Sequence, residues 1–80
     1  MLFRFRVIVM PRKDLLDPQG RAVSSVLRDM GMKVKDVRIG RSIDVEVEAD
    51  GEEEAIKMVE KMASEVLSNP IIEDYSVQKL

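Results

Sequence analysis

Apolar and polar residues alternate over Leu2–Met10, which predicts a β-strand. The inward face of this strand consists of the apolar side chains at every second position: Phe3, Phe5, Val7 and Val9. The other face is charged at one end, with Arg4 and Arg6, and apolar at the other, with Ile8 and Met10. We expect Ile8 and Met10 to stay partly exposed, which favours a contact with another molecule on this face.

A first helix is predicted to begin at Asp17 and to stop at Gly31. Asp17 suits the N-cap position, Pro18 suits the first helical position, and glycine is typical of a helix end. The apolar residues of this helix fall within about 140° of arc: Ala22, Val23, Val26, Leu27 and Met30. Gly20 is unusual in a first turn, because glycine there costs about 1 kcal/mol relative to alanine. A close approach to the backbone and a tolerant surface turn both explain it.

A second helix is predicted from the capping box of Asp50 and Glu53 through Leu67, and it ends before Asn69-Pro70. Its apolar residues spread over about 180°, more than packing on one sheet requires. Part of this stripe could contact a second subunit, or its methionines could fill gaps in the chain's own core.

Three further strands complete the predicted order. An irregular strand over Val34–Ile39 leads into a tight hairpin turn at Gly40-Arg41, followed by an alternating strand over Ser42–Ala49 and a last strand over Ile71–Leu80. The order β-α-β-β-α-β predicts an α+β fold: a two-layer, ferredoxin-like sandwich in which one antiparallel sheet carries both helices on one face.

In the usual strand order of this fold, the first and third strands are antiparallel neighbours. Arg4 would then lie near Glu48, and Arg6 near Glu46, so we expect both arginines to stabilise the sheet. An open sheet face that also carries Asp44 would repel phosphates, which argues against a nucleic-acid-binding module.

Composition narrows the possible functions of this single domain, residues 1–80. The absence of cysteine and histidine excludes disulfides, thiol nucleophiles, the usual zinc sites and imidazole catalysis. Residues 1–42 contain ten Lys/Arg and four Asp/Glu, whereas residues 43–80 contain three and eleven. The N-terminal strand is too short for a membrane span and does not have the pattern of a signal peptide, so a cytoplasmic location is expected.

Three segments together carry a family resemblance: residues 16–23 (Leu-Asp-Pro-Gln-Gly-Arg-Ala-Val), 37–43 (Val-Arg-Ile-Gly-Arg-Ser-Ile) and 67–75 (Leu-Ser-Asn-Pro-Ile-Ile-Glu-Asp-Tyr). With them, the chain resembles the PurS subunit of phosphoribosylformylglycinamidine synthase over essentially its whole length. Two departures are small: Arg41 stands where the family usually has lysine, and Ser68 where it often has alanine.

The resemblance implies a non-catalytic subunit of a purine-biosynthesis enzyme. It implies a homodimer or tetramer that bridges a glutaminase subunit and a large synthetase subunit and helps ammonia pass between them. No cofactor is expected on this subunit, whereas ATP and magnesium are used by the complex. No nucleic-acid or membrane partner is expected. The alternative is an oligomeric, ferredoxin-like domain that binds a small regulatory molecule.

Ten residues are implied by the resemblance as partner or subunit contacts: Asp17, Gln19, Gly20, Arg21, Arg38, Arg41, Asn69, Glu73, Asp74 and Tyr75. Several also have structural explanations, since Asp17 caps a helix, Asn69 precedes the proline that ends one, and Tyr75 can pack at the sheet edge. Arg21, Arg38 and Arg41 are stronger candidates, because no local geometry predicted from the sequence requires them.

Overall fold

Three antiparallel strands and two α-helices make up the fold, which the computed structural model describes for residues 1–80. In chain order the elements are β1 (Leu2–Pro11), α1 (Pro18–Asp29), β2 (Arg41–Glu48), α2 (Glu52–Met62), a π-helical turn (Ala63–Leu67) and β3 (Glu73–Lys79). The predicted α+β class is confirmed. Neither helix combines the length and the apolar character that crossing a membrane requires.

The sheet has the order β2-β1-β3, so the long β1 is its central strand. Antiparallel pairing of β1 with β2 is as expected, but the register places Arg4 opposite Glu46 and Arg6 opposite Asp44. The predicted partners were therefore wrong by two residues along β2. The expected role holds, because Arg6 Nε lies 2.8 Å from Asp44 Oδ1 and Arg4 Nε lies 3.8 Å from Glu46 Oε2.

The core lies between α2 and the inward faces of β1 and β2. Eight residues form it, and all are small or medium in size apart from Phe5: Phe5, Val7, Val9, Val47, Ala49, Ala55, Val59 and Ala63. The inward face predicted for β1 from two-residue alternation is thus confirmed, and Ile43, Val45 and Val47 face the core from β2 in the same alternating pattern.

The second strand of the predicted order, over Val34–Ile39, does not form, and neither does the hairpin turn at Gly40-Arg41. Side chains instead bind the backbone of this segment: Arg28 donates to the carbonyl oxygens of Val34 and Lys35, at 3.1 Å each. Such side-chain hydrogen bonds to the backbone compete with strand pairing. The expected pairing of β1 with β2, the strand that begins at Arg41, is unaffected.

Helix α1 was expected beside α2 on the sheet, but it packs against the segment of residues 34–40. Only Gly20 and Ser24 are buried on α1, while Val26 is 57% and Met30 is 65% exposed. The chain is consequently elongated, measuring 52 × 24 × 14 Å, with a radius of gyration of 16.1 Å. A compact domain of this length has a radius of gyration of about 12 Å. The apolar stripe of α1 is therefore largely unburied in the single chain.

Both ends of the second helical segment differ in detail from the prediction. Gly51, rather than Asp50, is the N-cap, and Glu54 rather than Glu53 accepts the Asp50 backbone N–H, at 3.1 Å. After Met62 the helix widens into the π-helical turn, which Ser68 closes by donating from its hydroxyl and its backbone N–H to the carbonyl oxygen of Ala63, at 2.7 and 3.0 Å. Gly31 ends the first helix as predicted, with a φ of 87°.

Candidate interaction site

The three segments singled out in the sequence meet at one end of the sheet, where β1 ends and β2 and β3 begin. We call this place the junction, comprising residues 16–20, 38–41 and 69–73. It encloses an open cleft of about 430 Å³ lined by residues from all three segments: Pro11, Leu16, Asp17, Pro18, Gln19, Ile39, Gly40, Arg41, Ile72 and Glu73. Segments far apart in sequence therefore build one surface.

Asp17 joins the first segment to the second. Its Oδ1 accepts the Gly20 backbone N–H at 3.0 Å, as the cap of α1, and its Oδ2 accepts the Ile39 backbone N–H at 2.8 Å. The hydrogen bond from Gly20 makes the largest contribution to holding the pKa of Asp17 below its usual value. The hydrogen bond from Ile39 and the nearby Arg38 guanidinium act in the same direction. The sequence predicts the cap, but it gives no sign of the bond to Ile39.

Gly20 and Gly40 are required by close backbone approaches. A Cβ on Gly20 would clash with the carbonyl oxygen of Val37 and would lie 2.5 Å from Asp17 Oδ2. A Cβ on Gly40 would clash with the carbonyl oxygen of Val9. Of the two explanations for Gly20, a close approach to its backbone is therefore confirmed over a tolerant surface turn. Gly40 is explained by its contact with β1 and not by the hairpin turn that was expected.

Arg41 and Glu73 join the second segment to the third through two parallel hydrogen bonds. Arg41 Nη1 donates to Glu73 Oε2 at 2.6 Å, and Nη2 donates to Oε1 at 3.0 Å. Nη2 also donates to the carbonyl oxygen of Leu67 at 2.6 Å, while the Asn69 backbone N–H donates to Glu73 Oε1 at 2.8 Å. Arginine is suited to such paired geometry, and the carboxylate is only 15% exposed.

Arg38 also has a local role that the sequence does not reveal. It is half-buried, and its Nη2 donates to the backbone carbonyl oxygen of Pro11 at the end of β1. Arg38 and Arg41 thus both hold the junction together. Both were preferred as contact residues because no local geometry predicted from the sequence requires them. The structure removes that reason.

The remaining candidates lie at different distances from the cleft. Gln19 is exposed and lines it, whereas Arg21 is exposed and lines a neighbouring cavity. Asp74 pairs with Met10 and belongs to the open face of the sheet. Tyr75 packs against the core, and its hydroxyl donates to Glu60 Oε2 at 2.9 Å, which raises the pKa of Tyr75. Tyr75 therefore packs on the sheet as expected, and it lies outside the cleft.

A family model described as "PurS: Phosphoribosylformylglycinamidine (FGAM) synthase" matches residues 4–80, almost the whole chain. The chain belongs to the PurS family. The PurS subunit of phosphoribosylformylglycinamidine synthase from Thermotoga maritima is 42% identical over 80 residues, which cover 99% of this chain and 98% of that subunit. The PurS subunit from Methanocaldococcus jannaschii is 33% identical over 78 residues, covering 96% and 94%.

The fold is also that of PurS. A chain in the structure of PurLQS from Thermotoga maritima matches with a TM-score of 0.92 and 42% identity, covering 100% of this chain and 99% of that one. Because the match covers the whole chain, it includes α1, which is separated from the sheet.

Apolar residues beside the junction were missed as functional candidates. Leu16 is 76% exposed and lines the cleft, and Leu15 and Ile72 are also exposed there. The available signal was the two apolar pairs: Leu15-Leu16 in a predicted loop, and Ile71-Ile72 at the start of the predicted last strand. Asp17, Arg38 and the Arg41–Glu73 pair are already bound within the chain, so what the junction presents to a partner is chiefly shape and apolar surface.

The Arg41–Glu73 pair makes the stability of this PurS-family chain depend on pH. The Arg41 hydrogen bonds, followed by the Asn69 N–H, lower the pKa of Glu73 from its ordinary value of 4.5 to about 2. Because the folded-state pKa is depressed, the stabilisation is complete above about pH 5 and is lost as the pH falls from there toward 2. We expect Glu73→Gln to reduce the fall in Tm between pH 5 and pH 3.

Thermal unfolding followed by circular dichroism at half-unit pH steps measures this effect. Glu53→Gln is the matched control, since Glu53 is exposed and has no hydrogen bond or ion pair. Its acid slope should equal that of the wild-type chain. An unchanged slope for Glu73→Gln would show that the pair does not couple folding to protonation.

Proposed function

We propose that this chain is the small, non-catalytic subunit that holds the glutaminase and synthetase subunits of phosphoribosylformylglycinamidine synthase together. In this role it supports the transfer of ammonia to the ATP-dependent conversion of formylglycinamide ribonucleotide to formylglycinamidine ribonucleotide. The observation that carries the proposal is the full-length match to a chain in the structure of PurLQS. That chain is close to this one in both fold and sequence. ATP and magnesium would be used by the complex and not held by this subunit.

The junction supports a contact role for this end of the molecule. Its cleft is fixed by the bonds of Asp17, Arg38 and Arg41, and a rigid surface loses little conformational entropy when a partner covers it. Gln19 and Arg21 project beside it without side-chain hydrogen bonds of their own. We therefore propose that the framework residues shape the contact surface, and that Gln19 and Arg21 touch the partner.

Self-association is part of the same proposal. The stripe of Val23, Val26 and Met30 on α1 is exposed, and apolar surface of this kind on a small domain is usually covered by another molecule. The elongated shape leaves α1 accessible to a second copy. A homodimer or tetramer would cover this stripe and leave the junction for other subunits.

Reconstitution tests the bridging role directly. The glutaminase and synthetase subunits from the same organism are mixed with and without this chain, and glutamine-dependent formation of formylglycinamidine ribonucleotide is measured. We expect activity, and a joint peak in size-exclusion chromatography, only when the chain is present. A second assay with ammonium chloride replacing glutamine should need the chain far less, because free ammonia does not have to be passed between subunits.

Two results would contradict the proposal. Full glutamine-dependent activity of the two large subunits without the chain would remove the bridging role. A requirement for the chain that is as strong with ammonium chloride as with glutamine would show that it acts on the synthetase reaction itself.

A further inference from the structure

An apolar patch overlaps the edge of the junction and has no role in the chain's own core. We define it as Pro11, Leu15, Leu16 and Ile72, which line an open cleft of about 500 Å³ together with Asp14 and Glu73. Leu16 is 76% exposed, Ile72 47% and Leu15 41%. Clustered exposed apolar side chains of this kind mark protein contacts more often than isolated ones do.

The backbone beneath the patch is fixed by hydrogen bonds between its two loops. The Arg12 N–H donates to the Ile72 carbonyl oxygen at 2.9 Å, and the Leu15 N–H donates to the Arg12 carbonyl oxygen at 3.1 Å. On the other side, the Ile72 N–H donates to the Asn69 carbonyl oxygen at 3.0 Å. The patch is therefore formed before any partner arrives, which lowers the entropic cost of binding.

The flank of the patch is basic. Four cations line the adjoining cavity of about 180 Å³, together with only two carboxylates: Arg12, Lys13, Arg21 and Arg38, with Asp17 and Asp36. Arg12 Nε lies 3.6 Å from Asp14 Oδ1, and Arg38 donates to the Pro11 carbonyl oxygen. Asp17 is already bound by two backbone N–H groups, so Lys13 and Arg21 are the cations left without a partner inside the chain. The partner that complements this surface presents an apolar side chain flanked by carboxylates.

A second copy of the patch itself does not fit this description. Two copies of the patch facing each other would bring their basic flanks together, and like charges across an interface oppose association. The chain's own carboxylates on the open sheet face, Asp44 and Glu46, are already paired with arginines. The exposed surface around Val66, where α2 runs into the π-helical turn, carries Lys61 and Glu65 and so has no net negative charge to offer.

We propose that the apolar patch is the docking site for an apolar side chain flanked by carboxylates on another subunit of the enzyme. This inference rests on the proposed function, and it adds residues that the family resemblance did not assign. Leu16 is the centre of the contact, because it lines the patch cleft, the junction cleft and the basic cavity. Lys13 supplies long-range attraction to the carboxylates.

Leu16→Asp tests the patch, and Val66→Asp is its matched control, since Val66 is 78% exposed on the π-helical turn, away from the patch. Binding of each variant to the glutaminase and to the synthetase is measured separately by titration calorimetry, with light scattering of the isolated chain for its oligomeric state. We expect Leu16→Asp to weaken binding to one of the two at least tenfold, with affinity for the other and self-association unchanged. Val66→Asp should stay within twofold of wild type throughout.

Salt dependence gives a second, independent measurement. Lys13→Glu should weaken the same binding at 50 mM salt and differ little from wild type at 500 mM, because exposed charges are screened there. Equal affinities of Leu16→Asp and wild type would overturn the inference, and so would a changed oligomeric state, which would make a second copy the occupant. Failure of the wild-type chain to bind either subunit would instead overturn the proposed function.

Discussion

Gly20→Ala is expected to lower the free energy of unfolding by about 3 kcal/mol, although it adds a single methyl group. The added Cβ would clash with the Val37 carbonyl oxygen, lie 2.5 Å from Asp17 Oδ2, and lie 2.9 Å from the Val37 carbonyl carbon. Two of these three atoms belong to the backbone, which cannot move aside as a flexible side chain can. Helix α1 would have to separate from the segment of residues 34–40, and the hydrogen bond from Ile39 to Asp17 would be lost with it.

Urea denaturation and thermal unfolding of the isolated chain measure the effect. For a domain of this size, about 3 kcal/mol corresponds to a fall in Tm of roughly 12–24 °C. Gly51→Ala is the control, because nothing lies within 4 Å of a Cβ there and its φ is −152°. It should cost less than about 1 kcal/mol, the usual penalty of alanine at an N-cap. Equal losses in the two variants would mean that the approach of Val37 is not what requires Gly20.

Phe5→Ala is expected to have the largest effect on stability, a loss of about 3–5 kcal/mol. Phe5 is 1% exposed and is the only aromatic residue among the eight that form the core. Domains of this kind are stable by about 5–15 kcal/mol, and one with a small core belongs at the lower end of that range. The isolated variant should therefore be at or near the limit of folding at room temperature.

Phe3→Ala supplies a matched comparison on the same strand and the same face. Phe3 packs against the edge of the core and is only partly buried, so its loss should cost about 1–2 kcal/mol. Urea midpoints followed by circular dichroism compare the two variants at one protein concentration. An equal cost for Phe3→Ala and Phe5→Ala would show that the exposed end of β1 is covered by a second molecule in solution.

The parts of the fold that the sequence predicts well are those specified by local pattern. The alternation in β1 and β2 identifies their inward faces because side chains on a strand point to opposite sides in turn. Asp17, Pro18 and Gly31 mark the ends of α1 by capping chemistry that depends on only a few neighbouring residues.

The parts that could not be predicted depend on contacts between residues distant in sequence. Val34–Ile39 has the composition of a strand, yet Asp17 accepts a hydrogen bond from Ile39 across 22 positions, and Arg28 binds two carbonyl oxygens of the segment. Such side-chain hydrogen bonds compete with strand pairing and leave no periodic signal. The same is true of Arg41, whose partner Glu73 lies 32 positions away.

For the candidate site, the sequence singled out three segments that the structure brings together, and it misjudged what individual residues do there. Asp17, Gly20 and Arg41 lie together at the junction, but their bonds are made within the chain. Asp17 binds the Gly20 and Ile39 N–H groups, and Arg41 binds Glu73 and the Leu67 carbonyl oxygen. The exposed leucines and isoleucines beside them do not follow an amphipathic pattern, so sequence periodicity gave them no role. Exposure in the folded chain is what distinguishes Leu16 from a core residue.

Because of the unburied stripe on α1, the measured stability of this protein depends on the other molecules in the solution as well as on the chain itself. Any molecule that covers Val23, Val26 and Met30 binds the folded form and not the unfolded one, so it adds to the apparent stability by mass action. If that molecule is a second copy, the melting temperature rises with protein concentration. A dilute sample and a concentrated one would then give different values for the same sequence, and each substitution discussed above has a defined cost only at a stated concentration.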